Sequence, residues 1–390
     1  MSARLKTNSG NLLLVISLVA IGALTLAPHP EEAKAALATP WYCLICGDLG
    51  MVDVLLNIAL FVPLGLALGL RGIRPRRALL FGLGLAGAIE LLQATLVHGR
   101  DPSVSDVLTN SAGALAGAVL GQHAGQLWLP SVARARQLTL AAALAWLSVM
   151  VLSAIGLTAD RPVGAVRLVE SPVTVLLEPF RGTVTRSSVD SVNGSLTLAA
   201  DIQTAGLTDR LAPILELQDS DSFPLARLGQ LGQKPTFSRR LLATRALFRT
   251  PMIRVYGGVI PEAPVRVRVE GGMAGPVLWS SATLNGTSHR AELTLTPGLG
   301  WMLLLPLGYP FDAFSRWTSA AWVALPLLLV GFWAGRARLQ LLALMAGAAL
   351  LLAAGLEGTA LLSHLARDGM AAWGLALGAL LTGWGVGRRT

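Results

Sequence analysis

Apolar residues in this chain gather into long runs separated by short basic or polar connectors. About 20 mostly apolar residues suffice for a helix to cross the hydrocarbon core. Runs of that kind cover Thr7–Pro30, Leu49–Leu70, Ala78–Val97, Val107–Leu129 and Gln137–Leu157. After a long break they return at Trp317–Gly335, Leu339–Leu362 and Gly369–Gly387. The pattern predicts about eight transmembrane helices, five before the break and three after it. Within the break the runs shorten, to Val173–Leu177, Ser195–Ile202, Pro213–Leu217, Met252–Tyr256, Pro264–Val269, His289–Thr296 and Trp301–Leu305. Gly, Pro, Asn and Asp separate them, the signature of an all-β sandwich. The fold class expected is therefore a polytopic α-helical membrane protein with an inserted all-β domain. It divides into a five-helix domain over 1–158, a β domain over 159–316 and a three-helix region over 317–390.

Composition agrees. Hydrophobic side chains make up 53% and charged ones 14%, with a mean hydropathy of +0.60. A soluble domain carries about 25% charged residues, so this chain cannot clothe a globular surface. The net charge of +9 would suggest nucleic acid in a soluble protein. In a membrane protein the positions of the charges matter more, because they encode orientation. Arg4, Lys6, Arg71, Arg74, Arg76, Arg77, Arg134, Arg136, Arg336, Arg338, Arg388 and Arg389 occupy one set of alternate connectors. The opposite short connectors hold Lys34, Arg100 and Arg367. This asymmetry predicts cytoplasmic termini and an extracytoplasmic β domain. A rival reading has the first span cleaved as a signal peptide near Ala33-Lys34-Ala35, with everything downstream unchanged.

Ionisable groups are costly inside a membrane and invite a functional hypothesis. Spans two to four hold a set of polar pairs: Asp53 and Asn57, Glu90 and Gln93, Asp106 and Asn110. Spacings of three or four residues put each pair on one helical face. The alternating topology brings all six to one level in the outer third of the bilayer, with Arg100 in the adjoining connector. Glu90, Asp106 and Asp53 are the candidate acid and base groups, since burial raises carboxyl pKa values toward neutrality. Asn57, Gln93 and Asn110 would orient polar headgroup atoms, and Arg100 would attract phosphate or carboxylate. The bland alternative makes the same groups interhelical hydrogen-bond glue. Gly113, Gly117 and Gly121 form a small-residue ridge, Gly82, Gly84 and Gly87 lighten span three, and Pro63 should kink span two and open the bundle locally.

The segment Asp53-x3-Asn57-x3-Phe61-x-Pro63-Leu64-Gly65, with Glu90-x2-Gln93, Gly99-Arg100 and Asp106-x3-Asn110-x2-Gly113-x3-Gly117, resembles the VanZ-like family over residues 41–125. The resemblance implies a bacterial cell-envelope protein in the plasma membrane and names a family associated with low-level teicoplanin resistance. It implies no settled reaction, so whether the chain is an enzyme stays open. More weakly, Ser195–Ile202, Ile214–Asp219 and Leu225–Gln230 resemble a concanavalin-A-like or laminin-G-like jelly roll, a fold that often binds glycans. Asp219 and Asp221 are too few for a calcium site and read better as a polar turn.

Cys43 and Cys46, just before span two, are too few for a closed zinc site and read as a small structural disulfide. Glu357 reads as an acid paired with Arg367 or Arg100. There is no P-loop, dinucleotide fingerprint, nucleophile elbow or HExxH helix. No metal, no cofactor and no nucleic-acid partner is expected. The expected partners are membrane lipids or a lipid-linked envelope precursor, which the protein recognises or modifies. The alternative is a glycan-binding or sensor protein whose helices act as an anchor.

Overall fold

The computed structural model describes residues 3–27, 42–45, 49–97, 103–162, 164–173, 177–192, 194–257, 259–305 and 313–390. The chain divides into two compact units, Met1–Arg134 and Ala135–Thr390.

The first unit is helical: α1 (Ala3–Thr25), α2 (Gly50–Leu70), α3 (Pro75–Thr95), α4 (Val104–Gln122) and the short α5 (Ala124–Trp128). Arg74, extended at φ −60° and ψ 142°, hands over to Pro75 at the first position of α3, where a missing N–H costs nothing. Glycines set the packing of α2 against α4. A Cβ on Gly113 would strike Ile58 O, one on Gly117 would strike Val62 O, and one on Gly121 would lie 2.5 Å from Leu66 O. From the α2 side, Gly65 abuts Ala114 O and Gly69 abuts Ala118 O. Each step advances four residues on both helices, so α2 and α4 run parallel with their backbones in contact. Gly82 of α3 joins them, since a Cβ there would sit 2.8 Å from Ala114 Cβ. Phe61, Leu64, Leu68, Ala78, Ala86 and Ala114 form the apolar core.

Two sequence expectations change here. The helix runs on through Pro63, and α4 touches α2 at Val62 and Leu66, so the bundle is closed at that point. Gly84 and Gly87 meet nothing within 4 Å and make no close helix contact.

The second unit opens with α6 (Val132–Gly156), whose first residues precede the boundary. Ten strands follow among the described residues: β1 (Arg167–Glu170), β2 (Thr183–Val192), β3 (Ser195–Gln203), β4 (Ala212–Gln218), β5 (Pro224–Leu231), β6 (Lys234–Arg239), β7 (Met252–Arg254), β8 (Arg266–Ala274), β9 (Val277–Leu284) and β10 (Thr287–Thr294), with α7 (Leu242–Arg245) between β6 and β7. They make two antiparallel sheets, ordered β1-β4-β5-β6-β7 and β10-β9-β8-β3-β2. One apolar core takes Ile214, Leu228 and Phe237 from the first sheet and Leu198, Val269 and Leu278 from the second. Phe237 lies against Gly271, where any side chain would collide with its ring. The edge strands β2 and β10 are mostly exposed and polar, which discourages edge-to-edge pairing. Asn285 and Gly286, at φ 50° and 80°, form the two-residue turn between β9 and β10.

The run Trp301–Leu305, expected as a strand, belongs instead to a 3-10 turn over Pro297–Leu303. Pro297 and two glycines suit a turn better than a ladder. Of Val173–Leu177, residues 174–176 lie outside the described residues, and Val173 and Leu177 are not in a strand. The chain then forms α8 (Ala313–Arg336), α9 (Leu341–Leu352), a π-helical segment Ala353–Gly358, α10 (Thr359–Leu362) and α11 (Met370–Arg389). Trp146, Val323, Leu327, Val330, Leu344 and Leu380 centre a second apolar core.

Among the described residues, seven helices are long and apolar enough to cross a membrane, against the eight expected. The one left out is α4, made less apolar by Ser105, Asp106, Thr109, Asn110 and Ser111.

Candidate functional site

The polar residues of the first unit gather where α1 and α3 end and α2 and α4 begin. Asn57 and Asp106 meet directly, the amide donating from Nδ2 to Asp106 Oδ1 at 2.9 Å. Parallel packing of α2 on α4 produces this pairing, because both residues lie near helix N-termini on the facing sides. A carboxylate in the first turn of a helix also interacts favourably with the macrodipole. Glu90 is buried and accepts the backbone N–H of Ser103 through Oε2 at 2.7 Å. Ser103 is the residue that leads into α4, so Glu90 satisfies an amide that the helix itself leaves open.

Gln93 is buried one turn further along α3, but its amide donates to Thr25 O at the end of α1, at 2.8 Å. It holds α1 to α3. Asp53 is exposed, in the first turn of α2. Asn110, one turn below Asp106, is 2% exposed, and its Oδ1 has no hydrogen-bond partner among the described residues. An orphaned buried carbonyl costs about 1–3 kcal/mol, which makes it the most informative atom of the set. Arg100 lies outside the described residues.

Two contributors escaped the sequence reading. Ser103 offers its backbone to Glu90, and Ser105 Oγ donates to Leu44 O at 2.5 Å. A serine three residues before an acid, opening an apolar helix, is a recognisable capping pattern and could have pointed to Ser103. Cys43 is disulfide-bonded. Cys46, the second of the chain's two cysteines, lies outside the described residues.

In the β region, buried Asp160 accepts Arg240 at 2.7 Å and Arg245 at 2.9 Å, and Arg240 also reaches Asp219 at 2.8 Å. Asp219 Oδ1 accepts the amides of Asp221 and Phe223, at 3.2 and 3.0 Å. Burial would raise its pKa, but the Arg240 guanidinium and those amides hold it below the usual value. Asp219 thus closes a turn and anchors an ion-pair network. Glu357 pairs with Arg367 at 3.0 Å.

The fold defines a protein of apolar helices long enough to cross a membrane, together with a two-sheet β region and a polar end on its first helical unit. A family model described as VanZ-LLP1: VanZ/LLP1 matches residues 4–124, the segment that forms α1 to α4. No curated protein and no solved structure matches the chain.

Proposed function

We propose that the polar end of the first unit is a site, open to the outer leaflet, for a lipid-linked or amphipathic molecule of the cell envelope. The observation that carries this reading is the Oδ1 of buried Asn110, without a partner among the described residues and one helical turn from the Asn57–Asp106 pair. Interhelical glue satisfies its own members, whereas a site keeps an acceptor for a donor that arrives with the ligand. A headgroup hydroxyl or amide would serve Asn110, while Asp106 and Glu90 supply carboxylates for binding or proton transfer. Asp53, exposed at the same helix end, would meet the headgroup first. Gln93 would act by fixing α1 beside α3. Arg100, in the adjoining connector, would attract an anionic headgroup. The match to the VanZ/LLP1 family favours an envelope setting, and the excess of Arg and Lys in alternate connectors favours cytoplasmic termini with the β region outside.

The test is teicoplanin susceptibility of cells that express the protein. Glu90→Gln and Asp106→Asn should remove any protection while the protein remains inserted at wild-type level. Full protection by both variants would contradict the site.

The second reading, a glycan-binding protein anchored by its helices, is favoured by the size and order of the two-sheet region. It predicts that substitutions at Asn57, Asp106 and Asn110 leave function intact.

A further inference from the structure

The helices of the second unit repeat those of the first at a nearly fixed offset. Gly65, Gly69, Gly117 and Gly121 have counterparts 266 residues later in Gly331, Gly335, Gly383 and Gly387. The contacts repeat as well. Gly65 abuts Ala114 O and Gly331 abuts Leu380 O; Gly117 abuts Val62 O and Gly383 abuts Leu328 O. The turns between helices match: Gly72 N bonds Gly69 O at 3.0 Å and Arg338 N bonds Gly335 O at 3.0 Å, with φ of 80° and 58°. Helices α3 and α9 begin at equivalent residues, Pro75 and Leu341. The π-helical segment Ala353–Gly358 then inserts one residue, the usual effect of such a bulge. From Glu357, near the end of that segment, Glu90-x9-Arg100-Asp101 corresponds to Glu357-x9-Arg367-Asp368 with the same internal spacing. Finally α4 and α11 begin at Val104 and Met370, 266 apart again.

At the polar end the copies part. Where the first unit has Asp53, Asn57, Asp106 and Asn110, the second has Ser319, Val323, Ala372 and Ala376. The space is filled by the 3-10 turn Pro297–Leu303 that ends the β region. The Trp301 indole donates to Ser319 Oγ at 3.0 Å. A Cβ on Gly298 would lie 3.2 Å from Val323 Cγ2 and collide with Asp368 Oδ1, so the turn sits against both. Asp368, 8% exposed, accepts the Thr296 hydroxyl at 2.6 Å and the Gly298 amide at 3.1 Å.

We infer that α6 and α8–α11 are a divergent second copy of the α1–α4 unit, whose polar end has become the mount that holds the β region through Pro297–Leu303. The two copies divide the labour. The first keeps a polar end; the second has exchanged its amides and one acid for apolar residues, paired Glu357 with Arg367 and turned Asp368 onto Thr296 and Gly298 of the chain itself. In each copy one helix precedes a connecting segment and three spans follow, counting α9, the π-helical segment and α10 as one, and the β region occupies the connecting segment of the second.

Hydrogen exchange on the full chain tests this. Asp368→Ala should raise exchange over 295–303 roughly tenfold, because it strips two donors of their acceptor. Asp368→Asn, which keeps one of the two acceptor oxygens and puts an amide NH2 in place of the other, should give an intermediate rise. Ser319→Ala, a milder change, should give a smaller rise. Asn57→Val and Asp106→Ala, which install the second copy's residues in the first, should leave 295–303 unchanged. Unaltered exchange in Asp368→Ala and Ser319→Ala would overturn the inference, as would an equal rise in the Asn57 and Asp106 variants.

Discussion

At the scale of single residues, Asn110 separates a site from mere adhesion between helices. Its buried side-chain carbonyl has no partner among the described residues, and an unpaired buried carbonyl destabilises the protein that carries it. Replacing it with an apolar residue of similar size should therefore leave the thermal midpoint unchanged or raise it, yet abolish function. We predict that outcome for Asn110→Leu, measured by thermal unfolding in detergent beside the teicoplanin assay. If Asn110 is glue, the same variant lowers the midpoint. A second residue-level prediction concerns acid. Asp219 is held below its usual pKa by Arg240 and two amides against the opposing effect of burial. Glu178 is held down by the Arg210 amide first, then, against some desolvation, by the Asp209 amide and Arg181. Both groups bind fewer protons folded than unfolded, so their contribution is present above the unfolded values of ~4 and is lost as pH falls through the lower folded values. Unfolding of the β region should become easier below about pH 4, and Asp219→Asn should flatten that dependence.

At the scale of elements, glycines decide how the helices pack. Gly117 faces Val62 O across a contact with no room for a methyl group, while Gly84 faces nothing within 4 Å. Gly117→Leu should destabilise the first unit by several kcal/mol or prevent insertion. Gly84→Leu should be neutral, or slightly favourable through helix propensity. Equal thermal midpoints for the two variants would contradict the packing described. The period-four ridge on α4 was readable from sequence because Gly113, Gly117 and Gly121 share a face. The idleness of Gly84 and Gly87 was not, since a glycine's neighbours lie on other helices. The turn at Trp301 was misread for a related reason: an apolar run of five fits a strand or a buried turn equally, and only Asp368, Ser319 and Val323 show which.

At the scale of the molecule, the alternation of apolar runs and polar connectors revealed the helices, and the change of period revealed the β region. That Asn57 and Asp106 share one level was legible too, because helical spacing and alternating direction put both at one helix end; the bond between them was not, since spacing along one helix says nothing of the partner across it. The turn of Gln93 toward Thr25 was not legible, since α1 offers it a backbone carbonyl and no side-chain signal. Nor was the kinship of the two helical units, whose shared positions are mostly glycines and small apolar residues, common in any membrane helix. The repeat emerges once the close contacts fix the register.

The most direct measurement on the central claim is native mass spectrometry of the full chain released from its own membranes with lipid retained. Wild type should carry a bound lipid-linked or amphipathic molecule, and both Asn110→Leu and Asp106→Ala should lose it while remaining folded. Identical bound species in wild type and both variants would contradict a ligand site at the α2–α4 end.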